Sequence, residues 1–135
     1  METENASTTK RKRIHLTNRR PVSIVDAEWP LLVNVGYDEH RGGQVYDATR
    51  EAHGFLRIRE HADGRAIVYA RRWNCSAVQG EQEWNDYAGE LTTSPVDIEA
   101  IKRVHGGMTL HGDDYLDVWD GLIDRAISSL PPEVI

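Results

Sequence analysis

Apolar and polar positions alternate most cleanly in "FLRIREHADGRAIVYARR", residues 55–72. Two runs of strand-like period flank Asp63-Gly64. Asp-Gly between such runs predicts a hairpin with a two-residue loop, because both turn positions would take positive φ. That loop sets Glu60 opposite Ile67, Ile58 opposite Tyr69 and Leu56 opposite Arg71. Leu56, Ile58, Ile67 and Tyr69 then share one apolar face. Arg57, Arg59 and Arg72 fall on the other face, and Arg71 stands at the margin of the core.

The flanking segments carry weaker patterns. "RIHLT" and "PVSIV" predict two short strands around an "NRR" turn, with Pro21 at an edge or strand start. "DAEWPLLVNVG" predicts a short helix from an Asp26 cap to a Gly36 stop. "YDEHRGGQVYDATREAHG" has turn residues and no sustained period, so it reads mostly as loop. "RRWNCSAVQGEQEWNDYAG" reads as a loop leaving the sheet, and "GELTTS" adds one further strand. "SPVDIEAIKRVHGG" predicts a helix capped by Ser94, stopped by Gly106-Gly107 and buried along Ile98, Ile101 and Val104. "DDYLDVWDGLIDRAISSLPP" predicts the longest helix, over 113–130. Leu116, Trp119, Ile123, Ala126 and Leu130 form its stripe, widened by Tyr115, Val118, Leu122 and Ile127.

The expected fold is α+β. A small antiparallel β-sheet is centred on the 55–72 hairpin, packed by a short N-terminal helix and two C-terminal helices. The C-terminal helices should cover the Leu56/Ile58/Ile67/Tyr69 face and turn their aspartates outward. Residues 1–12 are almost free of apolar side chains and are expected as a disordered tail, leaving 13–135 as a single domain. A length of 135 residues suits one domain with its own core.

Charge changes the picture more than composition does. The net charge of −6 hides an asymmetry. Residues 1–25 carry six basic and two acidic side chains, residues 50–72 six and three. Residues 26–49 carry one basic and five acidic, residues 73–135 three and twelve. Such blocks point to an electrostatic partner, or to parts of one fold that neutralise each other. The single cysteine, Cys75, excludes an internal disulfide. No run approaches the length of a membrane span, and no apolar stretch follows the basic N-terminal cluster. A soluble cytoplasmic protein is expected.

"LTNRRPVSI", Trp29-Pro30, "HADGRAIVYA" and the closing "LPPEV" carry a resemblance. They resemble small uncharacterised proteins of phage, prophage and plasmid sequences, over most of residues 14–135. The resemblance implies a mobile-element context. That group has no established activity, so no catalytic residue is carried over.

Candidate chemistry is sparse. His105 and His111 bracket a glycine turn, with Asp113 and Asp114 beyond, while His40, His53 and His61 are scattered upstream. A zinc site favours closely paired ligands, and neither C-x-x-C nor H-x-x-x-H occurs; exposed loop histidines are the plainer reading. Cys75 lacks any local nucleophile motif and reads as a small buried hydrophobe. Gly106-Gly107 follows a helix, as a C-cap does, and is no phosphate loop. No metal, cofactor or catalytic residue is expected.

Two charged surfaces remain. Lys10, Arg11, Lys12, Arg13, Arg19 and Arg20 form a basic arm, and Arg57, Arg59 and Arg72 a basic sheet face. The bland alternatives are a solubilising tail and internal pairing with an acidic helix. Asp113, Asp117, Asp120 and Asp124 line one helical face, where a solvated surface is the ordinary reading. The leading expectation is a non-enzymatic interaction protein of a mobile element. It would bind and inhibit a macromolecular partner such as a nucleic-acid-directed defence complex. The alternative is a small DNA- or RNA-binding regulator using the basic arm and the arginine face. A small hydrolase built from scattered His and Asp ranks third.

Overall fold

The computed structural model describes residues 10–42, 49–76, 83–108 and 116–135. The described residues form an α+β fold of six strands, a 3-10 turn and two helices. Strands β1 (Arg11–Ile14) and β2 (Val22–Val25) make a two-stranded antiparallel hairpin. A 3-10 turn, Asp26–Glu28, leads into a second sheet. That sheet has four antiparallel strands in sequence order: β3 (Leu31–Gly42), β4 (Thr49–Glu60), β5 (Arg65–Ser76) and β6 (Asn85–Thr93). Helices α1 (Ile98–Gly106) and α2 (Leu116–Ser128) follow.

The expected N-terminal helix is a strand. Trp29 takes extended φ beside Pro30, which disfavours helix at the preceding residue. From there Val33 and Val35 are buried while Asn34 is exposed, the period of a sheet. The expected loops are also strand: β3 runs to Gly42, β4 starts at Thr49, β5 runs to Ser76 and β6 starts at Asn85. Arg11 and Lys12, expected in a disordered tail, are paired within β1.

The central hairpin forms around Asp63-Gly64, one residue out of the expected register. Ile58 faces Val68, Leu56 faces Ala70 and Glu60 faces Ala66. Within the turn Gly64 has positive φ, at 93°; Asp63 does not. The Gly64 N–H donates to the His61 carbonyl at 3.0 Å, and the His61 N–H donates to the Arg65 carbonyl at 2.8 Å. This is a three-residue loop, a turn closed by a left-handed glycine. The Asp63 carboxylate accepts the Arg65 N–H at 3.0 Å and locks it.

The slip redistributes the faces. One face joins Val33, Val35, Leu56, Ile58, Val68, Ala70 and Ala88, and both helices pack there. Ala100, Ile101 and Val104 of α1 and Trp119, Leu122 and Ala126 of α2 fill that core. The cap of α1 is Asp97, which accepts the Ala100 N–H at 2.8 Å, instead of Ser94; Ile98, placed in the stripe, is 42% exposed. Ile67 and Tyr69, expected beneath the helices, lie on the opposite face. They form a second core with Ile14, Leu16, Ile24 and Trp29 of the N-terminal hairpin.

That hairpin is fastened where Gly89 has no side chain. The Thr17 N–H donates to the Gly89 carbonyl, and the Gly89 N–H to the Thr17 hydroxyl. A Cβ at Gly89 would stand 2.9 Å from the His15 carbonyl oxygen and push the hairpin off.

Candidate functional site

The one-residue slip splits the expected arginine trio. Arg72 lies under the helices with no exposed surface, between the rings of Trp84 (4.8 Å) and Trp119 (5.3 Å). Arg59 is on the hairpin side but internal. Its guanidinium donates to the Tyr69 hydroxyl, an Asp26 carboxylate oxygen and the Trp29 carbonyl, at 2.8, 2.8 and 2.9 Å. Both arginines serve the fold. Arg57 alone of the trio remains accessible, and Arg71 joins it on that face.

Arg57 and Arg71 are held alike. Arg57 Nε donates to the Asn34 amide oxygen at 2.9 Å, and Arg71 Nε to that of Asn85 at 2.9 Å. The Arg57 guanidinium lies 3.8 Å over the Phe55 ring; Arg71 lies 4.1 Å over Trp73 and 5.4 Å from Tyr87. Neutral amides and rings fix the planes without cancelling the charge. Among the described residues no carboxylate stands within ion-pair distance of either. Arg59, Arg65 and Arg103 differ: Asp26, Asp63 and Glu90 neutralise them.

Between this face and β1 lies an open cleft of about 260 Å³. Lys12, Arg13 and His15 line one side, Arg57, Arg71 and Tyr87 the other, and none of the lining side chains is acidic. The clustering is felt at Lys12. Burial first, then Arg59 and Arg57, pull its ammonium below the usual lysine range. Aromatic rings continue the surface: His15 sits 4.2 Å from Tyr87, and His53 stacks on Trp73 at 5.0 Å. Cation and ring thus alternate along one open face.

The remaining basic residues spread outward. Lys10, Arg11, Arg13, Arg19 and Arg20 are exposed, and Arg11 donates weakly to Ser23. Opposite the cleft, α2 turns Asp117, Asp120 and Asp124 to solvent; Asp113 lies outside the described residues. So do His111 and Asp114. His105 stacks on Trp119 at 4.7 Å, with Nε2 2.7 Å from the Trp119 carbonyl oxygen, and links the two helices. His61 packs on Trp29 and meets Asp63. Cys75 is exposed instead of buried, because the slip and the longer β5 put it at a sheet end.

Sequence reasoning missed Asn34, Asn85, Trp73 and Tyr87. A signal existed for part of this set. Phe55-x-Arg57 and Arg71-x-Trp73 place a ring two residues from a guanidinium on one strand, hence on one face. No protein-family model, curated protein or solved structure matches the chain. Among the described residues, no helix is long and apolar enough to cross a membrane.

Proposed function

We propose that this chain is a non-enzymatic cytoplasmic protein that binds a strand of nucleic acid across the Lys12/Arg13/Arg57/Arg71 face. One observation carries the reading: Arg57 and Arg71 are oriented by amides and rings, not by carboxylates, so two fixed guanidiniums keep their full charge. A planar fork with open donors suits phosphate, and alternating rings and cations suit unpaired bases. The net negative charge of the whole chain opposes indiscriminate attraction to polyanions, so contact would be confined to this face.

The test is anisotropy of labelled single-stranded DNA and RNA at several salt concentrations. The Arg57→Ala/Arg71→Ala variant should lose at least tenfold in affinity. Its log affinity against log salt should flatten by roughly 0.7 per phosphate contact removed. Equal binding by wild type and variant would defeat the proposal.

The reading as a mobile-element inhibitor of a nucleic-acid-directed complex has its own support in Asp117, Asp120 and Asp124. They stand outward on one helix, about a turn apart. Under that reading, Asp→Asn changes at all three positions abolish partner recovery from the native host, and the arginine variant leaves it intact.

A further inference from the structure

The far end of the stacked row holds a second constellation. Glu51 and His53 lie two residues apart on β4, and Cys75 pairs directly with Glu51 across to β5. Period two puts all three on one side of the sheet. Their ligand atoms lie within 4.8 Å of one another. A Glu51 carboxylate oxygen is 3.5 Å from His53 Nε2. Two ligands on a tetrahedral zinc, with bonds of about 2.0–2.1 Å, stand roughly 3.4 Å apart. That pair is therefore already at coordination spacing, and Cys75 needs only a shift of an exposed side chain.

The histidine is also aimed. An Asp38 carboxylate oxygen sits 2.5 Å from His53 Nδ1. A carboxylate there holds the Nδ1–H tautomer and leaves the Nε2 lone pair toward Glu51 and Cys75. Metal-ligating histidines are oriented in this way. Trp73 stacks on the same imidazole, with the ring planes 20° apart, and fixes its plane.

We infer that Glu51, His53 and Cys75 form a site for zinc(II), with Asp38 as the positioning residue of His53. Imidazole, thiolate and carboxylate together favour a borderline-soft divalent ion over magnesium or calcium. Three protein ligands leave one tetrahedral position to water. Binding transfers the Cys75 thiol proton to solvent and forms three metal–ligand bonds; nothing is oxidised or reduced.

The experiment is a titration of the untagged, reduced full chain with cobalt(II), followed by displacement with zinc(II). The expected result is a single equivalent of cobalt taken up, with visible bands of tetrahedral cobalt and a near-ultraviolet thiolate charge-transfer band. Zinc should bleach both, and excess magnesium neither. Cys75→Ser should abolish the charge-transfer band, and His53→Ala the tetrahedral bands. Asp38→Asn, which removes no ligand, should weaken cobalt roughly 10–100-fold with the spectrum unchanged in shape. Circular dichroism establishes that each variant is folded. Absence of uptake by the wild-type chain overturns the site. So does a charge-transfer band that survives His53→Ala and Glu51→Gln, since the sulfur would then act alone.

Discussion

The two faces of the central sheet are covered in different ways. On the helix side, alanines at 66, 70 and 88 let α1 and α2 lie close, and large side chains from the helices fill the gaps. Even Arg72 is drawn in there, between two indoles. On the hairpin side, a small two-stranded unit covers Ile67, Tyr69, Arg59 and part of Phe55 and leaves the rest of the face open. The same strands therefore end in a closed core on one side and a half-open one on the other. Two arginines on adjacent alternation positions show the difference. Arg59 falls under the small hairpin and is neutralised; Arg57, two residues earlier, falls beyond its edge and is not. Where covering ends, the guanidinium is oriented by an amide and a ring and meets no carboxylate among the described residues.

The contrast can be broken at several depths. The largest effect is expected at Trp119→Ala, which empties the helix-side core and removes a ring from Arg72. A loss of about 3–5 kcal/mol is expected in urea unfolding. A loss under 1 kcal/mol would mean that α2 does not close that face. Next comes Arg59→Met. It keeps the volume but removes three donors and leaves Asp26 unpaired, at an expected cost of about 2 kcal/mol. Because Asp26 is partly exposed, the cost stays below that of a fully buried broken pair. Arg57→Ala with Arg71→Ala should cost no more than about 1 kcal/mol in all, as exposed charges contribute little. If that pair were as costly as Arg59→Met, the two kinds of arginine would not differ and the binding face would be structural.

The smallest effect is on the alkaline limb of stability. Burial holds the Tyr37 phenol above its usual value of 10.0, partly offset by the Arg72 guanidinium. The folded state therefore retains the phenolic proton more firmly than the unfolded state. This contribution is complete below pH 10 and is lost as pH rises through the folded value. Tyr37→Phe should flatten the fall in melting temperature above pH 10. An unchanged alkaline limb would show that Tyr37 is not the group responsible.

Much of this was legible in the chain. The hairpin at Asp63-Gly64, both C-terminal helices, the N-terminal strand pair and the outward Asp117, Asp120 and Asp124 follow from period and turn residues. Two things did not. Leu31–Gly36 carries enough Leu and Val to suit either element, and Pro30 at its start together with pairing to β4 decides for strand. The loop length at 62–64 is set by side chains that bond the turn backbone, His61 Nδ1 accepting the Asp63 N–H and the Asp63 carboxylate accepting the Arg65 N–H, which composition does not reveal. That single difference moved Arg72 inward and Arg71 outward, and with them the candidate site.

The turn at Ala62–Gly64 acts as a parity bit for the molecule. Whether it holds two residues or three settles odd against even for the 11 pairs between β4 and β5. Every side chain on β5 reads that one choice, including the exposed sulfur near the sheet's far end. Chemical identity within the turn can therefore vary at Ala62, so long as the Asp63 carboxylate, the glycine conformation and the count are kept. Changes of count carry information far beyond their size, because they are transcribed along a strand of 12 residues. A lineage of such proteins would be expected to drift at Ala62 while holding the length of the turn, its aspartate and its glycine.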